Sequence, residues 1–132
     1  STWVYIDEIY LLFQHEYSAN FLFTLWKRVR KYGACCTGLT QNVDDLLQSH
    51  TARTMLANSE FLVMLNQAAT DRAELANLLN ISDNQLSYIT NVDSGGGLIK
   101  CGSAIVPFMN SFPKNRLYQL MTTRPSEMMA AA

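Results

Sequence analysis

The chain begins with a run, WVYID at residues 3–7, that has no polar face before Asp7. A strand with one wet side alternates polar and apolar residues. A run that is β-branched, aromatic and apolar at every position suits a central strand of a parallel sheet, covered on both faces. Two later runs read the same way, ACCTGLT at 34–40 and EFLVMLN at 60–66. The segment 8–33 between the first two is long enough for one crossover helix, and such a crossover is right-handed. Strands alternating with helices predict an α/β fold, a three-layer structure around a mainly parallel sheet.

The intervening segments carry helix signals. Ser18 is the expected N-cap of a helix whose apolar stripe is Phe21, Leu22, Leu25, Trp26 and Val29, with Phe23 toward the polar side. Lys27, Arg28, Arg30 and Lys31 fall in its last turns, where cations complement the helix dipole, and Gly33 ends it. Asn42 is placed to cap a short helix over VDDLLQS, and TARTMLANS continues as another. Thr70 and Asp71 open a helix with Leu75, Leu78 and Leu79 on its apolar side. Ser82 to Gln85 has the spacing of a capping box. Gly95-Gly96-Gly97 is a turn, LIKCG and AIVPF form an antiparallel hairpin around Gly102-Ser103, and RLYQLMT is expected to be a last strand. Residues 1–123 form one domain, and 124–132 read as a tail.

Composition narrows the function classes. Ten Lys and Arg against eleven Asp and Glu leave a formal charge of -1, so no global field draws nucleic acid or a membrane surface. Cys35, Cys36 and Cys101 lack metal-ligand spacing and are expected to be small buried hydrophobes. His15 and His50 have no partner at ligand spacing. No apolar run is long enough to span a bilayer, and no signal peptide is present.

The chemistry concentrates where the first strand ends. Ligands of open α/β sheets bind at the carboxyl ends of the strands, and Asp7-Glu8 sits at such an end. Adjacent carboxylates repel unless one is solvated or a cation neutralises them. Alternation sends them in different directions, so one can serve a metal while the other faces substrate. This is the logic of a Walker B strand: the aspartate holds the Mg2+ of a nucleotide, usually through water, and the glutamate polarises the attacking water. Read alone, the pair is simply the polar exit of a strand. The second strand strengthens the functional reading, because it brings Gln41 off the same edge. An amide there can sense a γ-phosphate or orient water, although Gln41 alone also reads as an ordinary loop residue.

The stretches YIDEIYLLF, WKRVRKYG, TGLTQNVDDLL, LANSEFLVMLNQ, LLNISDNQLSYI and GGGLIKCGSAIVPF together resemble the C-terminal part of the VirB-type ATPases of conjugation and type IV secretion, over about residues 3–123. The resemblance is strongest to versions carried by integrative conjugative elements of Gram-positive bacteria. It implies the C-terminal half of a RecA-like P-loop ATPase domain in a hexameric pump that uses ATP and Mg2+. It assigns Asp7 to Mg2+, Glu8 to catalysis and Gln41 to sensing. It further implies an arginine inserted into a neighbour's site, with Arg72 the first candidate and Arg53 the second. Other secretion subunits would be partners, and the assembled system would sit in the cytoplasm against the inner face of the membrane. One element of the pattern is absent: no G-x-x-x-x-G-K-[ST] occurs, and Gly95-Gly96-Gly97 opens a strand rather than a helix. The phosphate cradle is therefore expected upstream of Ser1, and the chain alone is expected to be inactive, a fragment beginning at the Walker B strand. In the implied fold the cradle's strand lies between 34–40 and 60–66, so the chain is expected either to close that gap or to self-associate.

Two rivals come from other classes. Residues 74–92 imitate a helix-turn-helix, which would make the chain a DNA-binding module, although its second helix carries no Lys or Arg for phosphate contacts. Phe23, Met109, Phe112, Tyr118 and Met121 would instead suit a non-catalytic assembly module, or ordinary core.

Overall fold

The computed structural model describes residues 1–123; the tail expected at 124–132 lies outside the described residues. Among the described residues five strands and six α-helices are interspersed along the chain. Strand β1 (Thr2–Ile6) pairs in parallel with β2 (Ala34–Gly38), Trp3 opposite Cys35 and Tyr5 opposite Thr37. Strand β3 (Phe61–Met64) pairs antiparallel with β4 (Gly96–Cys101), which pairs antiparallel with β5 (Ala104–Met109). The mixed α/β class and the C-terminal hairpin are as the sequence predicts. The third strand differs from its expected kind: it lies in a second sheet, and no pairing joins β2 to β3. The expected closure of 60–66 directly onto 34–40 does not occur.

The connection from β1 to β2 is a 3-10 turn (Ile9–Phe13) followed by α1 (Glu16–Arg28) and a second 3-10 turn (Val29–Tyr32). The helix starts before the expected cap. His15 occupies the N-cap, and the Ser18 hydroxyl lies against the Leu12 and His15 carbonyls, 2.5 and 3.0 Å away. Gly33, at φ 64°, terminates this segment in the left-handed region that costs glycine nothing. The stripe on α1 is shifted from its predicted place. Leu22 is buried but Phe21 is exposed, while Phe23 packs on the core and its ring carries the Lys27 ammonium 4.0 Å from its centre. The Trp26 indole donates to the Ser59 hydroxyl (3.3 Å), fastening α1 to the end of α3.

Helix α2 (Val43–Gln48) begins at Asn42, whose side chain accepts from the Asp45 amide. Helix α3 (His50–Ala57) begins at Ser49, which accepts from the Ala52 amide. These two helices join two cores. One contains Ile9, Leu22, Leu46, Ala52 and Met55; the other contains Val43, Leu47, Met64, Leu79, Ile89 and Leu98 among others. Leu46 and Leu47 are consecutive and enter different cores, and Leu56 packs against both.

Helix α4 (Ala69–Leu79) starts a residue ahead of Thr70, and α5 (Asp83–Leu86) carries the Ser82–Gln85 capping box in full. One turn of α-helix and a 3-10 turn (Ser87–Ile89) follow α4, and Ile89 is fully buried against β4. The Gln85 amide is turned onto the Ile105 carbonyl of β5 at 3.5 Å. A four-residue helix whose leading polar side chain is engaged inside the fold has no face to lay in a major groove, so the helix-turn-helix reading fails on geometry.

The segment 116–121 is a helix, α6 (Arg116–Met121), instead of the expected last strand. Asn115 decides this: its side chain accepts from the Tyr118 amide and supplies the missing N-terminal partner. The cysteines also depart from expectation. Cys35 and Cys101 are exposed and Cys36 half-buried, because one face of β1–β2 and of β3 is open. Trp3, Tyr5, Phe61 and Val63 lie on that open face, each about two-thirds exposed. Burial, with the neighbouring Cys35 a lesser cause, pushes the Cys36 thiol above its ordinary value.

Two outcomes follow from this packing. Gly97 in the central strand lies against the Met64 carbonyl oxygen, which an added Cβ would meet directly. Gly97→Ala should cost about 1–3 kcal/mol, read as a lower urea midpoint with an unchanged slope. Thiol alkylation at pH 8 should modify Cys35 and Cys101 before Cys36, since only the thiolate attacks and Cys36 ionises at higher pH; peptide mapping over time gives the order.

Candidate functional site at the carboxyl edge of the parallel strands

Parallel pairing of β1 with β2 puts the ends of both strands on one edge. The residues that leave this edge are Asp7 and Glu8 from β1, and Leu39, Thr40 and Gln41 from β2. Asp7 is exposed and Glu8 half-exposed. The Asp7 carboxylate takes one hydrogen bond, from the Glu8 amide to Oδ1 at 3.0 Å. Among the described residues neither carboxylate forms an ion pair.

Glu8 has φ 49° and ψ 45°. A non-glycine residue in this left-handed region costs roughly 1–2 kcal/mol, and such strain clusters at functional sites. The surrounding backbone holds it. Leu39 donates its amide N–H to the Ile6 carbonyl (2.8 Å), and its own carbonyl accepts from the Ile9 amide (2.9 Å). One residue of the neighbouring strand thus grips the chain on both sides of the acid pair.

Gln41 sits at the tip of a closed turn. The Thr40 hydroxyl accepts from the Asn42 amide at 3.1 Å and lies 3.2 Å from the Asn42 carbonyl. The Gln41 side chain is exposed and has no partner among the described residues. The structure therefore brings Asp7, Glu8 and Gln41 to one edge. The two arginines are elsewhere. Arg53 lies on α3, exposed, with its guanidinium donating to the Leu47 carbonyl (3.4 Å), and Arg72 lies half-buried in the first turns of α4. No hydrogen bond or ion pair among the described residues links either to the acids.

Two surface concavities are lined by other residues. One of about 290 Å³ is lined by Tyr88, Val92 and Phe108 among others, and one of about 340 Å³ by Tyr10, Phe13 and Asp45 among others. The acid pair is accessible, with Asp7 exposed. Its donor set suits Mg2+, which prefers oxygen, keeps several waters and takes only one or two carboxylates beside phosphate oxygens. Asp7 offers one carboxylate oxygen free of hydrogen bonds, and no cluster of three or more His, Cys, Asp or Glu groups stands among the described residues to hold a caged metal.

The family model described as the TraG P-loop domain matches residues 2–97. This chain belongs to that family. Among solved structures it is similar to VirB4 of Thermoanaerobacter pseudethanolicus, with a TM-score of 0.79 and 25% identity over 88% of this chain. The chain spans 32% of that protein's length. A search of curated protein sequences gives no match. The VirB-type resemblance and the fold stand on these findings, and the α/β architecture of the TraG P-loop domain is the frame in which the edge is read.

The sequence pointed to Asp7, Glu8 and Gln41 but missed what holds them: Ile9, Gly38 and the backbone of Leu39. A glycine inside a strand run was the available signal, since it marks close approach of another group.

Replacing Glu8 by glycine should relieve the left-handed strain and stabilise the chain by about 0.5–1 kcal/mol after glycine's own entropy cost. Glu8→Gln, which keeps the backbone problem, should leave stability unchanged. Thermal unfolding of the three proteins side by side makes the comparison.

Proposed function

We propose that this chain is part of the ATPase motor of a conjugation or type IV secretion system. The observation that carries the reading is the acid pair at the carboxyl edge of a parallel strand pair in a member of the TraG P-loop family. In this reading the full-length protein hydrolyses ATP to drive DNA or protein transfer, assembled as a hexamer with other secretion subunits. It works at the inner face of the cell membrane. Among the described residues no helix is long and apolar enough to cross a membrane. The chain carries no Walker A motif, so the phosphate cradle comes from elsewhere in the full-length protein and the chain alone binds no nucleotide.

The roles follow from position. Bound Mg2+ would neutralise charge on the transferring phosphoryl group. Asp7 would hold that ion, through water, with the carboxylate oxygen that the Glu8 amide leaves free. Glu8 orients the attacking water and draws on its proton. Gln41, at the tip of its turn, hydrogen-bonds the terminal phosphate or the same water. Arg72 or Arg53 completes a neighbouring subunit's site; among the described residues neither is bonded to the acids of its own chain.

In the full-length protein Glu8→Gln should abolish hydrolysis and preserve ATP binding, a barrier increase of several kcal/mol, on the order of 3–4. Asp7→Asn should weaken binding only when Mg2+ is present. Near-normal turnover in Glu8→Gln would remove Glu8 from catalysis. For the arginines, subunits lacking Arg72 should regain turnover when mixed with subunits lacking the Walker lysine. If no mixture rescues activity and Arg53→Ala is the damaging change, Arg53 is the residue that acts in trans.

A further inference from the structure

The turn bearing the acids and the turn bearing Gln41 meet at three residues with no assigned role. Leu39 makes two backbone hydrogen bonds, to Ile6 and from Ile9, and only Asp7 and Glu8 lie between those anchor points. The residue after Leu39 is Thr40, whose hydroxyl closes the turn around Gln41. The residue before it is Gly38. A Cβ built on Gly38 would stand 2.6 Å from Ile9 Cδ1 and 3.3 Å from Ile9 Cγ2. Ile9 is only 5% exposed and packs with Leu22, Leu46, Ala52 and Met55, so its side chain has little room to step aside. Ile9 also follows Glu8 directly, so a displaced Ile9 takes the strained Glu8 with it.

We propose that Gly38 and Ile9 are positioning residues for the hydrolytic site: their contact, with the Leu39 backbone clamp, fixes the Asp7–Glu8 turn to the Gln41 turn as one rigid unit. The proposal rests on the hydrolytic reading of Asp7, Glu8 and Gln41. Its content is the coupling. A phosphate group felt by Gln41 is felt at Glu8 through Thr40, Leu39 and Ile9, and a shift of Ile9 spoils the aim of Glu8 without touching the nucleotide contacts. Misplacement of a catalytic group by about 1 Å can cost on the order of a hundredfold in rate, so a one-carbon intrusion at Gly38 is large enough to read.

The test uses the full-length protein in four forms: Gly38→Ala, Ile9→Val, the double variant, and Glu8→Gln as reference. Gly38→Ala should lower kcat by about tenfold or more, with KM for ATP within about twofold. Valine lacks Cδ1, the atom that the new Cβ meets at 2.6 Å, so the double variant should recover the kcat of Ile9→Val. Unchanged kcat in Gly38→Ala overturns the proposal, as does a raised KM with kcat intact. A folded double variant that stays at the level of Gly38→Ala also overturns it. Should Gly38→Ala alone fail to fold, the double variant is compared with Ile9→Val: equal turnover supports the contact, and a tenfold deficit overturns it. Turnover that survives Glu8→Gln overturns the hydrolytic reading itself, a failure distinct from loss of the coupling.

Discussion

Two consecutive leucines hold this fold together. Among the described residues no strand pairing joins the parallel sheet to the antiparallel one, and helices α2 and α3 link the two halves. Leu46 enters the core that Ile6 of β1 packs against, Leu47 enters the core under β3 and β4, and Leu56 of α3 touches both. Adjacent positions on a helix point about 100° apart, which is how one short helix supplies two cores. Asn42 and Ser49 fix where α2 and α3 begin, and hence which leucine faces which side. The carboxyl edge of β2 leads straight into Asn42, so the joint and the candidate site share a few residues of chain.

Much of this was legible. The first two strands, the caps at Asn42 and Ser82, the hairpin at Gly102-Ser103 and the α/β class all follow from short-range signals, and the structure has them. The misreadings of strand burial have a common cause. EFLVMLN looks like a strand buried on both faces, and so do WVYID and ACCTGLT, but each has one open face here. Apolar runs report the cover a strand is suited to, not the cover it has. The reading of 116–121 as a strand failed for a different reason. Leu117, Tyr118, Leu120 and Met121 satisfy either periodicity over six residues, and a single cap at Asn115 decided for the helix.

The candidate site was legible as chemistry and not as mechanics. Asp-Glu after an apolar run and a polar exit from the next strand suggest nucleotide work. The left-handed backbone of Glu8 and the grip of Leu39 cannot be read from residue types, because glutamate rarely adopts that conformation. Strain of this sort is a property of the neighbours. Here they are a glycine and an isoleucine that look like ordinary strand and core residues in isolation.

The open sheet face has a practical side. The chain has two tryptophans, and they sit in opposite surroundings. Trp3 lies on the open face of β1, 62% exposed, while Trp26 is half-buried and hydrogen-bonded to Ser59. An indole in water emits at longer wavelength than one shielded from it. Anything that settles on the sheet would therefore dry Trp3 and leave Trp26 unchanged, so the molecule carries its own optical reporter for the covering of that face, with an internal reference already in place.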